Sequence, residues 1–496
     1  MARWRAMDEE ARRRAVTDRS LAVTDREVLE SRNAQGQPRF SLERVLRQLL
    51  QTAGVSNDAR NLYQRLFDTS NTRGGAYVPE GPHCDDERDA QGVPAMNGFP
   101  IACPTEDGRL ANVAEHDPFC VGPKCEPYAL VGIFNRFDLA DPKGQDCGEY
   151  RFIFAKGKET PPDGKAGNPP DFDRMFISFN AVVPSPRPER PGLDACAPLV
   201  EAWAGLSLID DAEERARRIE ALFFEGLPGA SGQRELKPLF HVDHFVEIAG
   251  HRTGQIRTNS VYDPDFAETE DLHVVPHWRL REYKLRRVCA QGAACVLGVE
   301  RTANETNPFG PLLMEDSAAG QEFRRQLLGQ VGNLAASDPN LVSMKMTEAV
   351  NGAQSTVSND AHCSLEPTIE DTRYDCWFER APSSLRDELN RAIARLPDPE
   401  ARRLTPENIV ARAEAMTCAG CHESSNEKDL GNGLVWPRSL SFVHVSDTGR
   451  NPRTGQWRVS IAMEDVFLPF RAKNLEGFLE GFCGEQVRLS PSGGQK

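Results

Sequence analysis

Thirteen cysteines spread through 496 residues constrain this chain more than any other feature. They are too dilute for a disulfide-built miniprotein, yet numerous for a reduced cytosolic enzyme. Eleven lie outside any short metal-ligand spacing, and Cys120/Cys125 and Cys289/Cys295 sit as close pairs in loop-like sequence. The expectation is an exported, oxidised protein with stapled loops. Proximity suggests the pairs Cys84/Cys103, Cys120/Cys125, Cys147/Cys196, Cys289/Cys295 and Cys363/Cys376, leaving Cys483, although spacing alone does not fix connectivity. The N-terminus, MARWRAMDEEARRRAVTDR, lacks the apolar core of a secretory signal. The export signal is therefore expected upstream of Met1. Arg outnumbers Lys 48 to 11, as in GC-rich bacterial genomes, where false starts are easily assigned.

At roughly 150 residues per domain, the length suggests two or three domains. A net charge of −15 argues against binding nucleic acid or anionic lipid through overall charge. No window approaches 18 consecutive apolar residues, so no transmembrane segment is expected. Walker A, G-x-G-x-x-G, G-x-S-x-G and zincin patterns are lacking, which leaves nucleotide-binding and hydrolase readings without local support.

Helical periodicity runs over 2–16, over 41–52 behind a Ser41 cap, and over 57–68. From 74 to 125 the chain is rich in Gly, Pro, Asp and Cys and reads as long ordered loops. Runs of β-branched and aromatic residues follow at 128–139, 149–157 and 174–184, separated by turn residues. An amphipathic helix is expected over 198–224, then strands at 240–250, 254–262 and 277–288. Helical patterns return at 318–335, 383–396 and from 405. The fold class expected is α+β: an N-terminal helical segment (1–73), an antiparallel β-rich domain with disulfide-stapled loops (74–305), and a mainly helical domain (306–496).

One motif carries chemistry. Residues 418–422 read Cys-Ala-Gly-Cys-His, the c-type haem attachment pattern, which chance composition produces in about 0.7% of shuffled chains. Thr405 as N-cap and Pro406 as first helical residue predict a helix running into the motif. Continued helix sets Cys418 and Cys421 on one side, where both thiols reach one porphyrin, with His422 placed to bind its iron. The alternatives are a Cys-x-x-Cys disulfide or half of a zinc site. For the sixth iron ligand the candidates are His444, in SFVHVSD, and Met463, in SIAMEDVF. The run Gly433–Trp436, ending in Pro437, is a candidate pocket wall, and Arg438 and Arg471 are candidates to neutralise haem propionates. Two histidine pairs, His241/His244 and His273/His277, have poor spacing for a metal, and Asp85-x-Glu87-x-Asp89-x-x-Gly92 lacks key calcium-loop positions.

Several stretches resemble an uncharacterised group of exported bacterial proteins, often lipoproteins, that end in a single c-type haem motif. The likeness lies in RSLAVTDREVLE (19–30), FSLERVLRQLL (40–50), VGIFNRFDLA with CGEYRFIFA (131–155), GQIRTNSVY with WRLREYKL (254–285), and TCAGCHESS with GNGLVWPRSLSFVHVSD (417–447). The resemblance implies secretion to the periplasm or cell envelope, a lipid anchor upstream, and a cytochrome c-like C-terminal domain. It also implies that the block 417–447 belongs together. The function expected is covalent binding of one haem c and electron transfer with an unidentified redox partner protein. A haem-dependent oxidoreductase or peroxidase with an N-terminal substrate domain, and a haem-free secreted binding protein, are the competing readings.

Overall fold

A computed structural model of the chain describes residues 16–103, 117–120, 127–156, 174–229, 234–246, 252–262, 277–289, 294–357, 373–440 and 442–481. Alternating large apolar and polar residues generate one antiparallel sheet. Its strands β1 (Ala22–Val23), β2 (Ala129–Arg136), β3 (Asp146–Lys156), β4 (Met175–Pro184), β5 (Gln255–Tyr262), β6 (His277–Val288) and β7 (Val296–Thr302) lie side by side in chain order. Strand β8 (Gln354–Val357) pairs with Trp278–Arg281 of β6, while β7 pairs with the remainder of that strand from Glu282.

Strand alternation sorts β3 into two sets. Tyr150, Phe152 and Phe154 are fully buried and face helices, whereas Glu149, Arg151 and Ile153 point to the other side. The longer helices on the N-terminal half are α1 (Leu42–Ala53), α2 (Ala59–Asp68), α3 (Ala197–Leu206) and α4 (Ala212–Phe224). Ser41 and Asp58 cap α1 and α2 as their side chains accept the backbone N–H of Arg44 and Asn61. Phe152 lies 4.1 Å from Phe223 of α4, and Tyr150 stacks on Trp203 of α3 at 5.3 Å. Burying each such aromatic contributes about 1.5–3 kcal/mol.

Three sequence expectations need correction. The region 198–224 is two helices, because Ser207–Asp211 turns the chain and Asp211 caps α4. The described part of the expected strand over 240–250, residues 240–246, is a short 3₁₀ turn at Val242–His244; Phe240 and Phe245 are buried there by packing rather than by strand alternation. The stretch 306–496 holds α5 (Ala318–Gly329), α6 (Tyr374–Glu379), α7 (Ser383–Ala394), α8 (Pro406–Ala415) and α9 (Leu468–Gly481), but it also contributes β8 and a hairpin of β9 (Val445–Arg450) and β10 (Trp457–Val459). The expected helix at 2–16 lies, but for Val16, outside the described residues.

Residues on both sides of position 305 share one hydrophobic cluster. Polar clamps fasten the C-terminal stretch to the sheet. Arg174, at the start of β4, donates to both carboxylate oxygens of Asp447 at 2.8 and 2.6 Å, and its guanidinium sits over Trp278. Disulfides join Cys84–Cys103, Cys147–Cys196 and Cys289–Cys295, as proximity suggested. Cys120 and Cys376 are also disulfide-bonded; their expected partners Cys125 and Cys363, and Cys483, lie outside the described residues. No described helix is long and apolar enough to cross a membrane.

Candidate functional site

Helix α8 begins as its sequence predicts. Thr405 Oγ1 accepts the N–H of Asn408, Asn408 Oδ1 accepts the N–H of Thr405, and Pro406 occupies the first turn. Ile409, Val410 and Ala413 are buried. The buried Arg412 donates to the carbonyls of Leu334, Ala336, Leu430 and Gly431 and so ties the helix to two loops.

The helix does not continue into the motif. It stops at Met416, and a separate helical turn carries residues 418–424. Thr417 makes the break, since its hydroxyl donates to Glu414 O and accepts the N–H of Gly420. Ser355 of β8 accepts the N–H of Ala419 at 3.1 Å, so the sheet caps the same turn. Gly420 is required by space: a Cβ there would stand 1.8 Å from Glu414 O. Cys418 and Cys421 still fall three residues apart on this turn, and both are thiols. Burial, with the Glu282 carboxylate as a lesser cause, pushes the Cys418 thiol up to about 12, so it stays protonated at neutral pH.

His422 Nδ1 lies 2.8 Å from the carbonyl oxygen of Phe442. A carbonyl only accepts, so Nδ1 carries the proton and Nε2 offers a lone pair. Burial pushes this imidazole down to about 4, and His444 well below its ordinary range, so both are neutral near pH 7. His444 stands at the mouth of β9, with Nδ1 2.9 Å from Ser460 Oγ and Nε2 3.7 Å from Cys421 Sγ. Met463 is buried on the turn preceding α9, where its sulfur accepts from Arg471 Nη1 at 3.8 Å.

Cys421, His422, His444 and Met463 thus line one cavity of about 980 Å³, open mouth included. Four arginines complete its wall: Arg136 of β2, Arg151 of β3, Arg257 of β5, and Arg471 of α9. No carboxylate lines this cavity. Their acidic partners stand outside its lining, Asp138 beside Arg136 and Arg471, Glu149 beside Arg151, and Glu282 beside Arg257. Burial and the neighbouring Arg136 and Arg151 push Arg471 down to about 9. Burial opposes ionisation of Glu149, but Arg151, Arg252 and Arg257 hold it well below the carboxylate range. A second hollow, lined by Cys418, Met416, Glu149 and Glu305, adjoins the first across Arg151, Arg257, Cys421 and His422.

The sequence candidates fare unevenly. Arg471 faces the cavity, whereas Arg438 is exposed and does not line it. The run Gly433–Trp436 is not part of the wall; Val435 is exposed, and Trp436 packs toward Phe467. His244 is buried with Nδ1 2.9 Å from Leu239 O, which explains it as a core histidine, and His273 lies outside the described residues. Asp85 and Asp89 hold turns, accepting the N–H groups of Arg73, Gln91 and Val93. Among the described residues no group of three or more His, Cys, Asp or Glu is arranged to hold a metal ion directly.

Sequence reasoning missed Arg136, Arg151, Arg257, Asn259 and Phe442. The available signal was the charge at alternate positions of otherwise aromatic strands, as in Glu149-Tyr150-Arg151-Phe152. Register aligns these side chains, with Ser178 opposite both Ile153 and Arg257, and Arg257 opposite Glu282. No protein-family model, curated protein or solved structure matches this chain.

Proposed function

We propose that this chain is an exported c-type monohaem protein that carries electrons in the bacterial periplasm or cell envelope. The observation that carries the reading is the convergence of Cys421, His422, His444 and Met463 on one cavity with a four-arginine wall. Haem, once bound, supplies a one-electron iron couple. Cys418, from the adjoining hollow, and Cys421 would be the thioether anchors, and His422 would offer Nε2 to the iron while the Phe442 carbonyl fixes its tautomer. The four arginines match a ligand with carboxylate side groups, because a buried cation facing a cavity free of carboxylates gains from a bound anion.

His444 and Met463, which line the same cavity, are the two residues that would supply a second protein ligand to the iron. The ring centres of His422 and His444 are 4.7 Å apart, with His444 Nε2 3.7 Å from Cys421 Sγ. The Met463 sulfur accepts from Arg471 Nη1 at 3.8 Å, a contact it would give up to bind iron. A haem-dependent oxidoreductase is the second reading, favoured by the polar sheet residues Ser178, Asn180 and Asn259 in the same cavity wall.

The test is a covalent haem stain with a pyridine haemochrome spectrum, on protein exported from a host with cytochrome c maturation machinery. Absence of covalent haem there refutes both haem readings. A low-spin spectrum and slow reaction with peroxide support electron transfer, and a high-spin, peroxide-reactive iron supports the oxidoreductase.

A further inference from the structure

Phe442 combines three features. It is fully buried, it has φ of 59°, and its ring stacks on Trp278 at 5.6 Å and 20°. A bulky residue in the left-handed region costs of order 1–3 kcal/mol and persists only where its surroundings over-determine it. Here that conformation aims the carbonyl at the motif. The oxygen accepts from His422 Nδ1 at 2.8 Å and from Asn259 Nδ2 at 3.0 Å, which occupies both of its lone pairs. Asn259 is buried on β5 and lines the cavity, and its pairing opposite Phe176 and Leu280 fixes its position.

We propose that Asn259 is a positioning residue for His422, acting through the Phe442 carbonyl to limit the electron donation of the imidazole. The inference rests on the haem reading. A carbonyl that accepts one N–H strongly draws that proton away from the ring, which makes the imidazole a stronger donor to a ferric centre. A second donor on the same oxygen competes for its electron density and weakens the first bond. Asn259 therefore holds the iron couple at a higher potential than His422 and Phe442 alone would give. The sheet thereby acts on the motif through one side-chain amide.

The test is Asn259→Leu, which keeps the approximate volume and removes the donor, with Asn259→Ala as a second variant of the same expected sign. In haem-loaded protein the ratio of oxidised to reduced iron at fixed poise should rise by up to about tenfold, equivalent to 59 mV for one electron. In haem-free protein, nitrogen-15 NMR should show His422 as the Nδ1–H tautomer in wild type and variants, with the Nδ1 proton moved downfield in the variants. A merely loosened site would move that proton upfield. An unchanged or raised potential in a folded, haem-loaded variant, or an upfield shift, overturns the inference. If wild type carries no covalent haem the haem reading fails, and the NMR arm still decides the positioning: an Nε2–H tautomer in wild type refutes it.

Discussion

Replacing Gly420 by alanine adds a single methyl group at the closest backbone approach beside the motif. That Cβ would lie 1.8 Å from Glu414 O, 2.5 Å from Glu414 C and 2.9 Å from Ala415 Cα. An ordinary carbon–oxygen contact is about 3.3 Å, so the motif turn must retreat from the end of α8 by more than about 1 Å. Neither side yields easily. Glu414 O accepts the N–H and hydroxyl of Thr417, and Ala419 is tied to Ser355. Overpacking of this kind costs about 1–3 kcal/mol. A shift of that size also lengthens the 2.8 Å bond from His422 to Phe442 beyond hydrogen-bonding range. Gly420→Ala should therefore lower the denaturant midpoint and reduce covalent haem incorporation together. Gly477→Ala is the control, because the same methyl group in α9 meets nothing within 4 Å and should stabilise by about 0.4–1 kcal/mol. The two changes must differ in sign. If Gly420→Ala matches wild type or the control in both midpoint and haem content, the close approach does not dictate glycine there.

Other outcomes follow from the same geometry. Cys147→Ser/Cys196→Ser releases a loop with a sequence separation of 49, which the chain-entropy relation values at about 4 kcal/mol; the denaturation midpoint should fall correspondingly, and a reductant should shift wild type but not the variant through this bond. His244 is buried, chiefly by which its imidazole is pushed down to about 4. In the unfolded chain it titrates near 6.5, so between these values the unfolded state binds the extra proton, and about 3 kcal/mol of stability is lost as pH falls from 6.5 to 4. His244→Asn should reduce the slope of that part of the stability profile, leaving the share that the likewise depressed His422 and His444 contribute. Arg412→Leu removes the donor shared by four carbonyls and should cost about 3 kcal/mol, read as a lower midpoint.

Much of the local structure was legible because it depends on neighbours in sequence. The caps Ser41 and Thr405, the strand runs at Ala129–Arg136 and His277–Val288, and three disulfides between cysteines at most 49 residues apart are of this kind. Segment 240–250 misled because buried aromatics such as Phe240 and Phe245 give an apolar run whether the backbone is strand or turn. The break at Met416 was hidden for another reason. It depends on Thr417 capping the motif turn and on Gly420 fitting against Glu414, and both are contacts rather than periodicities.

What the sequence by itself determined is the chemistry available: two thiols three residues apart, a histidine beside the second, and two candidate ligands downstream. What only the tertiary structure decided is which groups share space with them. Arg151 and Arg257 reach the cavity because the antiparallel register lines up one face of β3, β4 and β5, and strand alternation turns their charged side chains away from the aromatic core. Asn259 and Phe442 meet across 183 residues of chain because an αL conformation, stacked on Trp278, points one carbonyl at both the sheet and the motif. Local propensity specifies none of these encounters, since each is fixed by register and packing between distant segments.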